Sequence, residues 1–212
     1  MVDRLSRYAP LTGVLYAVTA VVGIAVGEET LKSTASGARV ILHAEAHRSS
    51  LEASNILFAI AFLALLLFAG ALRSYLRRTP GNDGLAALVL AGAVVMSVTA
   101  IMISGIEYGI VHHAERLSPE MARTLNFLSN EMFVPILAGA FVFGVCSGLA
   151  IIRGAGLPAW LGWIAIVLGI VALIPPIGFG AFVGFIAWSA IVGILMFTRL
   201  QSAAPAPAAA VP

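Results

Sequence analysis

His43 and His47 stand four residues apart, with Arg39 one turn before them. On a helix that spacing puts all three on one face. Two imidazoles so placed can supply two ligands to a metal completed from other elements. Glu45 points to the opposite side, so His43-Ala44-Glu45-Ala46-His47 is not the HExxH arrangement of zinc proteases. A second collection is Glu107, Tyr108, His112 and His113. Ser104, Tyr108 and His112 form an i, i+4, i+8 line if the helix continues. The adjacent histidines point about 100° apart and cannot readily share an ion. A third is Asn130-Glu131, one turn after Asn126, with Glu52 and Asn55 in the matching place at the head of another apolar run.

Glu52, Glu107 and Glu131 are therefore expected at similar depth on three helices, lining one outward-facing cavity with at least one histidine. The candidate pocket comprises His43, His47, Arg48, Glu52, Glu107, Tyr108, His112, Asn130 and Glu131. Ionisable groups near a bilayer are costly unless paired, wetted or used. Converging carboxylates could share protons or bind a divalent cation, for which His43, His47, His112, Glu107 and Glu131 are the donors. They could equally be neutralised by Arg48 and Arg123 in an ion-pair network, or sit at a water boundary. No cofactor is implied beyond that optional metal, and no catalytic residue is assigned. GxSxG, Walker, Rossmann and CxxC motifs are absent, and the single cysteine, Cys146, cannot form an intrachain disulfide.

The elements that must position these groups are membrane helices. Hydrophobic residues make up 60% of the 212-residue chain and charged residues 10%, against roughly 25% charged in a soluble domain. The mean hydropathy is +1.02. A net charge of +2 from scattered basic residues gives no reason to expect nucleic acid as a partner. The fold class is all-α: a polytopic transmembrane bundle of about six spans, with an extra extracytoplasmic helix before span two. The spans run over 11–27, 51–72, 84–106, 128–152, 158–174 and 181–197. One bundle domain covers 1–200, and an Ala/Pro-rich cytoplasmic tail, expected to be disordered, covers 201–212.

Arg4 and Arg7 before the first run, and Ala25-Val26-Gly27 after it, resemble a signal peptide, but the segment is read as a span. The last two spans form a hairpin broken at 175–180 by two prolines and two glycines. Residues 38–47, free of Gly and Pro, are expected to be helical. Ser118-Pro119-Glu120 is a strong helix start, and the helix it opens should kink near Pro135. Gly105/Gly109, Gly144/Gly148 and Gly180/Gly184 are spaced for close helix packing, within the chain or in a homo-oligomer. Trp160 and Trp163 are read as interfacial anchors.

Seven basic residues, Arg73, Arg77 and Arg78 among them, fall on the N-terminal side of the bilayer and five on the other. By the positive-inside rule both termini are cytoplasmic. The stretch Ala46-His47-Arg48, the helix ending Gly70-Ala71-Leu72-Arg73, and Leu157-Pro158-Ala159-Trp160-Leu161-Gly162-Trp163 together resemble an uncharacterised actinobacterial family of small polytopic membrane proteins. That resemblance implies a bacterial inner-membrane protein with a helix before its second span. His47 and Arg48 are the site-like residues it covers. No activity comes with it.

Three functions compete. One is a binding, sensing or accessory protein whose outer pocket holds a small molecule, a lipid headgroup or a cation. The second is an enzyme on a lipophilic substrate, with a carboxylate and a histidine as acid and base. The third is a small proton-coupled transporter. Sidedness is testable first: cysteines at Ser33 and Ser118 are expected to react with an impermeant reagent from outside, and one at Asn82 to be protected.

Overall fold

A computed structural model describes residues 8–174 and 177–202. Arg4, Arg7, the Pro175-Pro176 pair and the tail from residue 203 lie outside them. The described residues are helical, with no strand among them. A 3-10 turn at Ala9–Leu11 leads into α1 (Thr12–Val26). There follow α2 (Gly37–Ala46), α3 (Arg48–Leu76), α4 (Asp83–His112), α5 (Pro119–Glu131), α6 (Phe133–Ile152), α7 (Ala159–Ala172) and α8 (Gly178–Ser202). The final helix extends through Gln201 and Ser202, two residues into the stretch expected to be a disordered tail.

Six of these helices close a ring in chain order. α1 packs on α3, α3 on α4, α4 on α6, α6 on α7, α7 on α8, and α8 returns to α1. The first helix is thus part of the bundle: its Tyr16 and Ala20 are completely buried. Aromatic rings fill the centre, where Trp188 meets Phe68, Phe143 and Phe185 edge-on at 5.8–6.4 Å. The indole Nε1 of Trp188 donates to the Leu161 carbonyl at 2.9 Å, so the bulkiest buried side chain leaves no orphan donor.

Helices meet closely where glycine removes the side chain. A Cβ on Gly92 would sit 2.6 Å from the Phe143 amide of α6, and Gly144 and Gly148 press on the α7 backbone. Gly105 and Gly109 do not behave this way. Both face open space, so the close packing expected around them is absent. Between Gly180 and Gly184, only the second is in contact, with Leu168.

The outside of the ring is apolar. Leu67 and Val134 are each 62% exposed and Met102 52%, the surface a hydrocarbon solvent selects. Trp160 and Trp163 are exposed on α7, as interfacial anchors would be. Five helices are long and apolar enough to cross a membrane, α5 and α6 counting as one path of 34 residues. The expected fifth span is the exception. α7 has 14 residues and rises only about 21 Å, short of a hydrocarbon core of about 30 Å. Pro158 sets its start, and the prolines after Ile174 limit its continuation. α7 and α8 are separate packed helices, as the hairpin requires. The helix from Pro119 breaks at Met132 before resuming at Phe133. That is one residue past Glu131, whose carbonyl the ring of Pro135 displaces from the helical ladder.

At one end of the ring, α2, the 3-10 turn Ala114–Arg116 and α5 form a cap with its own small core, made of Val40, Ala44, Ile110, Val111, Ala114 and Ala122. Both cap helices begin with a serine. Ser36 accepts from the Arg39 amide at 3.4 Å and Ser118 from the Met121 amide at 3.2 Å. Their starts touch, for a Cβ on Gly37 would collide with the backbone of Pro119.

Two tests follow. Asn82 is fully buried and donates to the Ala150 carbonyl, so its protection says nothing about sidedness. Arg78, exposed in the same connection, is the proper reporter, and a cysteine there is expected to stay unlabelled from outside while Ser118→Cys reacts. Gly37→Ala is expected to cost about 1–3 kcal/mol, because two backbones cannot give way as a side chain can. Hydrogen exchange should rise in α2 and α5 but not in the ring. Gly105→Ala, in open space, serves as the control.

Candidate functional site

Beneath the cap the ring is hollow. An outer chamber of about 240 Å³ lies between the end of α1, the 27–31 connection, α2, α3 and α4. An inner chamber of about 370 Å³ reaches deeper, toward Phe62, Ala100, Ile136 and Phe182. The two share Thr30, Asn55, Phe58, Glu107 and Phe179. A small ligand pocket begins at roughly this size.

Glu107 stands at the junction. It sits five residues before the end of α4, about 7.5 Å down the helix. Its exposed surface lines both chambers, and Ser129, whose hydroxyl donates to the Asn126 carbonyl at 3.1 Å, lines the inner one beside it. From the sequence, Glu107 is expected inside because close packing is expected at Gly105 and Gly109. The outcome holds for another reason. Residue 107 is turned about 200° from both glycines, so it faces inward because they face out.

Asn55 is 5% exposed. It lines both chambers, and its amide makes no hydrogen bond to any described residue. On the same stripe of α3, Phe58 and Phe62 follow at i+3 and i+7 and form an aromatic wall. Phe62 stacks on Phe182 of α8 at 5.8 Å. From α5, Ser129 and Asn130 complete the polar strip. Asn126 and Asn130 also tie down the α1–α2 connection. Asn126 donates to the Lys32 carbonyl at 3.0 Å and Asn130 to that of Leu31 at 3.3 Å.

The other expected site residues gather elsewhere. Glu52 lies 3.3 Å from Arg48 Nε and 3.2 Å from His112 Nδ1, in a network that continues from Arg48 to Glu115 at 3.4 Å. Arg48 also donates to the His112 carbonyl at 3.1 Å. This is the ion-pair alternative, on the rim, and exposed pairs of this kind contribute only about 0–1 kcal/mol. Tyr108 stacks on His112 at 5.4 Å, outside the cavity. Ser104 instead lines the inner chamber. An i+4 step drifts about 40°, and two steps carry His112 to another face. Glu131 is exposed and borders neither chamber, because the inward position on α5 goes to Ser129, two residues earlier. The convergence of Glu52, Glu107 and Glu131 is therefore not realised; of the three, Glu107 lines the cavity.

His43 does line the outer chamber. His47, its ring centroid 4.9 Å away, pairs with Glu28 at 3.3 Å. The five proposed metal donors are spread over the cavity, the rim and the outer surface. Among the described residues, no group of three or more His, Cys, Asp or Glu side chains is placed to hold a metal ion.

Thr30, Ser129, Phe62, Phe133, Phe179 and Phe182 were not foreseen as lining residues. The one sequence signal is the stripe Asn55, Phe58, Phe62, which reads equally well as an ordinary core face. No protein-family model, curated protein or solved structure matches this chain. The family resemblance therefore rests on Ala46-His47-Arg48, the helix ending Gly70-Ala71-Leu72-Arg73, and the segment 157–163.

Burial, then the neighbouring His47, holds His43 below the ordinary histidine pKa, with Glu28 and Glu29 pulling the other way. The fold thus favours the neutral ring. Unfolding takes up a proton once the pH drops below about 6.5, so this group costs no stability above that pH and a growing amount as pH falls toward its native value. The fall in melting temperature from about pH 7.5 to about pH 5.5, on either side of the ordinary histidine value, is expected to be smaller in His43→Asn than in the unaltered protein.

Proposed function

We propose that this chain is a multi-pass membrane protein that binds a small amphipathic molecule in the cavity beneath its cap. The observation that carries this reading is the cavity itself: phenylalanines along its depth and one polar strip, with Glu107 and Asn55 at the junction of its chambers. Such a space offers an apolar body somewhere to sit and a polar head something to bond. Binding is favoured over acid-base catalysis because the two histidine–carboxylate pairs, His47–Glu28 and His112–Glu52, lie on the rim. Glu107 has no histidine hydrogen-bonded to it among the described residues.

The basic residues support an orientation with the cap outward and both termini in the cytoplasm. In that orientation the cavity takes its occupant from the outer side of the bilayer. A bacterial inner membrane is the location that the family resemblance implies.

Native mass spectrometry of protein taken from membranes into nanodiscs tests the reading. An amphipathic adduct is expected. Ala100→Leu, which fills the inner chamber, should remove it, and Ala138→Leu, on the exposed face of α6, should not. Adduct-free protein that gives no thermal shift with a panel of alkyl and aryl amphiphiles would remove the proposal.

A further inference from the structure

We infer that the occupant is a lipophilic organic cation, an amine or quaternary ammonium whose charged head sits between Glu107 and Asn55 and whose apolar body extends toward Phe62 and Phe182. This names the ligand class for the site proposed above and rests on that reading.

Charge is the first support. The outer chamber is lined by Glu28, Glu29, Glu107 and His43, and the inner chamber by Glu107 as its one ionisable residue. No lysine or arginine lines either. Arg48 is held on the rim by Glu52 and Glu115, and Arg39, Arg116 and Arg123 are exposed on the outer surface. An anionic head would meet Glu29 and Glu107, neither of them ion-paired among the described residues, while Glu28 pairs with His47. A cationic head would pair with Glu107, which faces the hollow with no counter-ion among the described residues. His43, held toward its neutral form, does not offset the acids.

The walls are the second support. Phe58 and Phe179 border the junction, and Phe62 and Phe182 border the depth beyond it. Ring faces attract cations, by about 0.5–2 kcal/mol where water is excluded. They also accept alkyl and aryl groups. A small hydrated metal ion would gain nothing from such walls, whereas a substituted ammonium uses both its charge and its carbon.

Asn55 is the third and independent support. The residue is 5% exposed, and its amide opens onto the cavity without a hydrogen-bond partner among the described residues. A buried polar group is normally satisfied. Its oxygen can accept from a protonated amine, or face the positive methyl shell of a quaternary head. Depth sets the size. From Glu107 to Ala100 is seven residues of α4, about 10 Å, enough for a chain of roughly eight carbons or two fused rings.

The test uses the protein in nanodiscs of zwitterionic lipid, with empty nanodiscs as the blank. Octyltrimethylammonium, octanol and octyl sulfate share a tail and differ in head charge. Equilibrium dialysis is expected to show the cation bound about tenfold tighter than the alcohol, with the sulfate weakest. Glu107→Gln should abolish the preference, bringing octyltrimethylammonium to the affinity of octanol or below, and Glu107→Asp should retain it. Equal binding of all three, or preference for the sulfate, overturns the cation inference and leaves the amphiphile reading standing. Binding of none above the blank removes both. A cation preference that survives in Glu107→Gln overturns the assignment to that carboxylate. The three-compound comparison on unaltered protein decides the charge question even if a variant fails to fold.

Discussion

A carboxylate set inside an apolar helix end must be met by something polar, and the cap end of this molecule is organised around that requirement. Glu107 cannot face lipid at acceptable cost, and the ring leaves it a hollow to face. Ser104 lies on its own helix, Asn55 comes from α3, and Ser129 and Asn130 come from α5. Remove the acid and the strip of polar side chains loses its common focus. The same hollow explains why the aromatic filling is dense around Trp188 and opens out above Phe62. Below, rings meet rings; above, they face space.

The cap keeps that space from being an open bundle end. It has an apolar core separate from the main one, so it is held by burial of its own. Its two helices meet at their starts, where Gly37 touches Pro119, and it joins the ring through Ile110 and Val111 of α4 and through the two asparagines that bond the carbonyls of Leu31 and Lys32. Those asparagines serve two tasks, since Asn130 lines the inner chamber and Asn126 the outer one. The connection that walls the cavity is thus fixed by residues that also face into it. A change in what occupies the chamber has a short physical path to the cap, through side chains already in contact.

The rim network has a different character. Arg48, Glu52, His112 and Glu115 are linked by contacts of 3.2–3.4 Å at the surface. Solvent screening keeps such links weak. They fix which way Arg48 points, and so keep its charge off the cavity.

The helical membrane class, the helix start at Ser118, the interruption before Pro135 and the clustering of acids and histidines at one end follow from the sequence alone. Each depends on short-range chemistry: apolar runs of bilayer length, a serine side chain on a free amide, a proline without one. Periodicity also says which residues share a face of one helix. It does not say what that face meets. Glu52 and Glu107 are equivalent by depth and type, yet one pairs with Arg48 and His112 while the other lines the hollow. That difference was decided by how α3, α4 and α5 turn against each other. The same rotation put Ser129 inward and Glu131 outward, and left Gly105 and Gly109 with nothing to pack against. Side chains contributed by separate segments make one site only once the ring closes, and ring closure is a property of packing, which no local spacing records.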